Sequence, residues 1–222
     1  MNTDIIKAYN EYGVYAIAKN SAWRTAAQTV IKGNVWEHDT IKYIIKNCEH
    51  GSVIHAGAYF GDFIPALSKN CKDIVFAFEP NSENYECANI TCDLNNCTNV
   101  ILRNKALGAY KTTVNLKIKQ DNKSIGGLSK IVSMADKDTE KVFQVTIDDT
   151  IPHTRPISIL HLDLEGHELS ALKGAKNTVR KWKPILIIED NHKEYSMLYN
   201  LNYVYQQTIN KNLIFVNNKL NK

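Results

Sequence analysis

The sequence predicts an α/β fold built on a doubly wound, mostly parallel sheet that ends in an antiparallel hairpin. Three observations carry this reading. Short apolar runs at 53–56, 74–78, 100–103, 157–162 and 185–188 alternate with stretches of helical periodicity, the order that lays parallel strands side by side with helices as crossovers. The first run leads into Gly57-Ala58-Tyr59-Phe60-Gly61, and the second ends at Glu79, about 20 positions after that turn, the spacing of a βαβ unit that receives a nucleotide-like ligand. The last two alternating segments, 203–209 and 213–216, flank Asn210-Lys211-Asn212, which reads as a hairpin turn.

Each element has a local cause. Residues 1–36 scatter Tyr9, Tyr12, Tyr15, Trp23 and Trp36 among polar positions, with Gly13 and Gly33 as breaks. They are expected to form an N-terminal helical extension, with the main domain over 37–222. Over 37–48, Ile41, Ile44, Ile45 and Cys48 fall at i, i+3, i+4 and i+7, which predicts a helix ended by Glu49-His50-Gly51. Phe60, Ile64 and Leu67 share one face of the helix after the glycine turn. Ser82 is the expected N-cap of the next helix, which carries Tyr85, Ala88, Asn89 and Cys92 on one side. Val114, Leu116 and Ile118 alternate as in a half-exposed strand, and 142–147 reads as another. Between them, 121–138 is polar, contains Gly126-Gly127 and reads as a mobile loop. After the strand at 157–162 a helix is expected with Leu169, Leu172, Ala175 and Val179 inside. Pro184 opens a continuous apolar run, suited to a strand buried on both faces.

Composition narrows the classes. With 44% hydrophobic and 23% charged residues over 222 positions, the chain can bury a sizeable core as a globular protein. Its net charge of +4 is spread along the sequence without a basic block, so nucleic acid is not the expected partner. No apolar run approaches the ~18 residues of a membrane span, and Met1-Asn2-Thr3-Asp4 does not read as a signal peptide. The odd count of five cysteines, with Cys87, Cys92 and Cys97 at a five-residue period, matches neither a disulfide framework nor a metal knuckle. Free thiols and a cytoplasmic location are the expectation, with no metal.

Open α/β sheets bind ligands at the carboxyl ends of their strands. There the sequence places Asp163, Glu165, His167 and Glu168 after one strand, and Glu189, Asp190, Asn191 and His192 after the next. Gly57 and Gly61 let backbone approach a ligand, and Glu79 can accept two hydrogen bonds from a ribose diol. Because Glu79 sits at a strand end, its replacement is expected to spare the fold. Asp163 either faces the ligand or caps the following helix. Glu165 and Glu168 read as first-turn residues, where the helix dipole favours acids in any case. His192 is the candidate general base, in competition with His38, His167 and His161, the last of which reads as a packed strand residue. Asp163, Glu189 and Asp190 offer an alternative, all-oxygen site for a divalent cation. The aromatic residues of 1–36 read either as packing or as a wall for the acceptor.

Taken together, the motifs resemble the FkbM-type family of S-adenosylmethionine-dependent methyltransferases. The matching segments are Trp36-Glu37, His55-Ala56-Gly57-Ala58-Tyr59-Phe60-Gly61, Phe78-Glu79-Pro80-Asn81, Asn104-Lys105-Ala106-Leu107-Gly108, Val145-Thr146-Ile147-Asp148-Asp149, and Leu162 to Glu168 leading to Leu172-Lys173-Gly174-Ala175. The resemblance covers about residues 35–217 and implies a Rossmann-like, seven-stranded class I methyltransferase sheet. It implies S-adenosylmethionine as cofactor, held by Glu37, His55, Gly57, Tyr59, Gly61, Glu79, Pro80, Asn81, Ala106 and Asp163. Catalysis is then expected from Asp163, His192 and Glu189, on a hydroxyl of a small molecule or saccharide, in a protein that is not membrane-bound and has homo-oligomerisation open to it. Two positions depart from the family pattern: His55 stands where an Asp is usual, and Tyr59 where an Asn is usual. The rival readings are a non-catalytic Rossmann-like domain that has lost the cofactor, with His55 as its supporting feature, and an NAD-dependent oxidoreductase. The oxidoreductase is disfavoured because Gly-x-Gly-x-x-Gly is broken by Tyr59.

Overall fold

The structure is a computed structural model and describes residues 4–191 and 195–218. It opens with a β-hairpin, β1 (Ile5–Asn10) and β2 (Gly13–Ala18), where a helical segment was expected. The side chain of Asn10 fixes the turn by accepting the Tyr12 N–H (2.9 Å) and the Tyr15 hydroxyl (3.0 Å). Ala8, Tyr15 and Ile17 are buried together on one face of the hairpin, while Tyr9 points the other way and is exposed. The helical character is limited to a 3₁₀ turn at Lys19–Ser21 and to α1 (Thr25–Ile31).

The main chain order then runs α2 (His38–Asn47), β3 (Ser52–Ala56), α3 (Ile64–Asn70), β4 (Val75–Phe78), α4 (Ser82–Leu94) and β5 (Val100–Arg103). A small β region follows: β6 (Ala106–Leu107), β7 (Thr112–Lys117), β8 (Lys119–Gln120), β9 (Lys123–Ser124), β10 (Lys130–Val132) and β11 (Thr139–Val145). The chain continues through α5 (Ile147–Thr150), β12 (Ile157–Leu162), α6 (Glu168–Lys173), α7 (Lys176–Trp182), β13 (Ile185–Glu189), α8 (Ser196–Tyr199), β14 (Tyr203–Ile209) and β15 (Asn212–Asn217). Among the described residues no helix is long and apolar enough to cross a membrane.

The large sheet has seven strands in the order β14-β15-β13-β12-β3-β4-β5. Pairing is parallel from β13 through β5 and antiparallel at β13–β15 and β15–β14, so the sheet is mixed. Alternate strand residues divide between two cores. Ile54, Phe76, Leu160, Leu186 and Phe215 meet Leu172, Val179 and Leu198 of α6, α7 and α8 on one face. Val53, Val75, Ile159, Ile187 and Ile214 meet Ile41, Ile44 and Leu67 of α2 and α3 on the other. The N-terminal hairpin docks on α4 by pairing β2 backbone with side chains: Thr91 Oγ1 accepts the Ala16 N–H (3.0 Å), and Asn95 both accepts from Val14 N–H (2.9 Å) and donates to its carbonyl (2.6 Å). Those bonds occupy groups that would otherwise form an open strand edge.

Three local expectations change. Residues 121–138 are not a featureless loop: they hold β9, a 3₁₀ turn at Gly126–Leu128 and β10, which pairs with β7. The order comes from distant groups, because Gly126 and Gly127 lie against the ring of Tyr59, a contact invisible in local periodicity. Asn81 rather than Ser82 caps α4, its Oδ1 accepting from Glu83 and Asn84 N–H. The segment 142–147 divides, with the strand ending at Val145 and Ile147 opening α5.

Three of the sequence motifs meet in a clasp behind the sheet edge. The Asp148 carboxylate accepts the N–H groups of Asn177 (2.9 Å) and Thr178 (2.8 Å) and the Thr178 hydroxyl (2.8 Å) at the start of α7. Asp148 N–H in turn donates to the Gly174 carbonyl (2.9 Å). A Cβ on Gly174 would run into the carbonyl oxygen of Gly108, so the close approach of two backbones demands glycine there. Asp148→Ala is expected to lower the unfolding free energy by about 1.5–3 kcal/mol, the range for hydrogen bonds to a charged group. Gly174→Ala is expected to destabilise at least as much, because backbone must move. Urea denaturation of both variants against wild type measures this.

Candidate active site at the carboxyl edge of the sheet

Strand register builds the site. Ala77, His55, His161, Ile187 and Ile214 lie side by side across β4, β3, β12, β13 and β15. One side-chain step further along the same face come Glu79, Gly57, Asp163, Glu189 and Asn212, the row at the strands' carboxyl ends. Over this row the N-terminus of α2 brings Glu37 and the glycine turn brings Asp62. The cleft between them measures about 310 Å³ and is walled by six carboxylates, Glu37, Asp62, Glu79, Asp163, Glu165 and Glu189. Trp36, Phe63, Leu128, Arg24 and Lys211 complete much of the wall. A narrower extension of about 30 Å³ shares Gly57, Glu79, Asp163 and Glu165 and is lined by Pro80, Ala106, Leu107, Leu116 and Ile131.

Glu79 is 4% exposed, and its carboxylate accepts the backbone N–H of Tyr59 (2.7 Å) and of Asn81 (2.9 Å) and the Asn84 amide (3.4 Å). It therefore ties the glycine turn to the end of β4, and its replacement would not spare the fold as its place at a strand end suggested. Tyr59 has φ +48, the left-handed region in which Asn is favoured over bulky residues. The bond to Glu79 and the packing of its ring on Gly126 and Gly127 hold it there. A Cβ on Gly57, whose φ is +90, would strike the carbonyl oxygen of Asp163, so only glycine lets β3 and β12 converge below the cleft.

The departure at His55 has a partner on the next strand. His55 Nδ1 lies 2.9 Å from His161 Nδ1, and both rings stack with Phe63. Burial holds both imidazoles neutral: His55 is pushed well below the usual histidine range, and His161 down to about 4. His161 is thus a buried strand residue, as its sequence position suggested, and it also lines the cleft.

The carboxylates move the other way. Burial raises Asp62 to about 8, with Glu37 adding like-charge repulsion, and raises Glu79 to about 7. Glu165 rises to about 7 through burial and the charge of Glu189. Asp163 is held well above the usual range by burial, then by Glu189 and Glu165. The uncharged forms are favoured because no cation among the described residues pairs with these groups at salt-bridge distance.

Of the expected site residues, the cleft brings together Glu37, His55, Gly57, Tyr59, Glu79, Asp163 and Glu189, and its extension takes in Pro80 and Ala106. Gly61 packs against Thr91 and Ala88 of α4 instead, and Asn81 caps that helix. Asp163 is not a helix cap, because α6 starts at Glu168 with His167 before it. Glu165 lies in the preceding turn with φ +50, outside the helix; Glu168 closes that turn by accepting from Leu164 (2.9 Å) and Gly166 (3.0 Å) N–H. His192 lies outside the described residues. His38 meets the Tyr12 hydroxyl (3.1 Å) and His167 meets Gln144 (3.0 Å). Sequence reasoning missed Asp62, although it directly follows the second glycine of the turn. It also had no means of placing Arg24, Gly127, Leu128 and Lys211 at the cleft, since long-range packing brings them there. Of the aromatics in 1–36, Tyr15 is buried in packing and Trp36 lines the cleft.

The raised carboxylates set a pH dependence. A carboxyl group whose folded pKa exceeds its unfolded value binds more protons when folded, so stability falls as pH rises through the folded pKa. The buried imidazoles act oppositely, raising stability as pH climbs to about 6.5, and are silent above it. Up to about pH 8 the Asp62 contribution falls alongside those of Glu79, Glu165 and Asp163, so a comparison of variants isolates it. Asp62→Asn is expected to melt higher than wild type at pH 9 and to show a flatter decline from pH 7, read by thermal denaturation across that range.

Comparison with known proteins agrees with this architecture. A family model described as the methyltransferase FkbM domain matches residues 55–207. The crystal structure of methyltransferase FkbM from Methylobacillus flagellatus is similar, with 20% identity and a TM-score of 0.53 over 75% of this chain and 43% of that one. So is the tRNA (uracil-54, C5)-methyltransferase of Pyrococcus abyssi in complex with S-adenosyl-L-homocysteine, with 12% identity and a TM-score of 0.53 over 97% of this chain and 44% of that one. The chain spans less than half the length of either protein. No curated protein sequence matches it. With a glycine turn, an acidic strand end and a clasp of motifs all falling inside the matched segment, the chain belongs to the methyltransferase FkbM domain family.

Proposed function

We propose that the chain transfers a methyl group from S-adenosylmethionine to a hydroxyl oxygen on a small molecule or saccharide, using a Rossmann-like class I sheet. The observation that carries this reading is the acidic cleft at the glycine turn, continuous with a narrow, largely apolar extension. The residues present fit the cofactor. Carboxylates without cationic partners suit its sulfonium and ammonium groups, and Pro80, Ala106, Leu107 and Ile131 offer an apolar wall beside them for the edge of its base. Glu79 retains acceptor capacity for a ribose hydroxyl beyond its bonds to the backbone.

When bound, the cofactor supplies an activated methyl group on sulfur. The chain's task is then alignment and proton removal. Asp163 faces the cleft beside Gly57 and is the proposed acceptor of the hydroxyl proton, in the ionised form that a cationic ligand in the cleft would restore. Glu189, next to it on β13, stabilises that proton. His192, three positions after Glu189 in the sequence, is the further candidate base. A polyphosphate acceptor such as RNA would bring negative charge against this wall, which supports a neutral acceptor over the nucleic acid of the tRNA enzyme.

Calorimetric titration with S-adenosylmethionine, S-adenosylhomocysteine and NAD tests the reading. The two sulfur ligands should bind and NAD should not; NAD binding alone would give the oxidoreductase, and binding of none would give a domain without a cofactor. Asp163→Asn should reduce methyl transfer ~10²-fold or more, in line with general-base contributions, with a melting temperature no lower than wild type. Glu79→Ala should weaken S-adenosylhomocysteine binding by ~1.5–3 kcal/mol and also lower the melting temperature, because it frees the glycine turn.

A further inference from the structure

We propose that Asp163, Glu165 and Glu189 hold a hard divalent cation of the Mg²⁺ class beside the cofactor. One oxygen from each lies within 4.8 Å of the others. Oxygens on opposite sides of an octahedral Mg²⁺, at ~2.0–2.1 Å each, stand about 4.2 Å apart, so small side-chain rotations bring all three onto one ion. The three come from two adjacent strand ends, β12 and β13, and the turn after β12, which gives them a rigid base.

A second, independent observation lies in the wall of the same cleft. The Nδ1 atoms of His55 and His161 face each other, so each ring has only Nε2 left for any other partner. His55 is 1% exposed, lines the same cleft, and its Nε2 has no hydrogen-bond partner. In a pair of neutral imidazoles joined Nδ1 to Nδ1, one ring donates and the other accepts, leaving one Nε2 bare and one protonated. A buried imidazole nitrogen without a partner is costly, and a water bound to the ion can donate a hydrogen to the bare Nε2.

Charge balance points the same way. The cofactor proposed above carries a net charge of +1, against six carboxylates in the cleft wall. A doubly charged ion offsets part of the remainder and gives the acceptor's oxygens a ligand that lowers the hydroxyl pKa. The role toward the acceptor rests on the methyl-transfer reading; the ion site itself does not.

The test uses the full chain and Mn²⁺, an oxygen-seeking probe read by electron paramagnetic resonance of the free ion. Wild type should bind one Mn²⁺ with a dissociation constant below about 1 mM, the weak limit of carboxylate sites for divalent ions. Glu165→Gln and Glu189→Gln, each checked by circular dichroism, should weaken binding at least tenfold, and saturating S-adenosylhomocysteine should leave Mn²⁺ in place. No binding to wild type at 1 mM, or equal binding to both variants, would overturn the site. Displacement of Mn²⁺ by S-adenosylhomocysteine would overturn it too, by giving these carboxylates to the cofactor's ammonium. Titration with S-adenosylhomocysteine in the absence of metal checks the methyl-transfer reading separately.

Discussion

A single buried carboxylate sets the geometry of the whole edge. Glu79 accepts backbone hydrogens from both sides of the cleft, from Tyr59 in the glycine turn and from Asn81 at the start of α4. The Asn104 side chain closes the arrangement from the next strand by donating to the Glu79 and Pro80 carbonyls (2.9 and 3.0 Å). Three successive strand ends are thus referred to one residue. With the turn held in this way, Gly57 can lie against the Asp163 backbone, and the acidic row forms where β3 and β12 converge. An unpaired charge at position 79 would be costly in so buried a place, and the donors around it are what make it tolerable.

The row itself works against the fold. Carboxylates brought together under partial burial raise one another's proton affinity and hold the protein in a state that neutral pH opposes. Such groups persist where a ligand's charge complements them, which is why perturbed titration marks functional sites. The stabilising interactions lie elsewhere, in the two cores on either side of the sheet and in the Asp148–Gly174 clasp.

Much of the fold was legible in the sequence because the cues were local. Apolar runs, the helical spacing of Ile41, Ile44 and Ile45, and the Asn210-Lys211 turn each describe neighbours along the chain. The hairpin of residues 5–18 was misread because its tyrosines at 9, 12 and 15 fall on a helix-like spacing, whereas cross-strand pairing and docking on Thr91 and Asn95 set the structure. Residues 121–138 looked unstructured because their order depends on β7 and Tyr59. At the site, Asp163, Glu189 and Glu79 were visible as acids at strand ends. The pairing of His55 with His161, and the approach of Glu37 and Asp62, required the register of strands and the placement of α2.

The wall of the cleft is drawn from residues 24 to 211, and no contiguous stretch contains it. The site therefore exists only in the fully assembled molecule, and no partly folded form that lacks one strand end can present it. Whatever ligand binds there selects the native state over every other, adding RT ln(1 + [L]/Kd) to its stability, about 2.7 kcal/mol when the ligand stands at a hundred times its dissociation constant. Occupancy is thereby written into the melting curve. A ligand of unknown identity can be recognised by the stability it confers before any reaction on it has been observed.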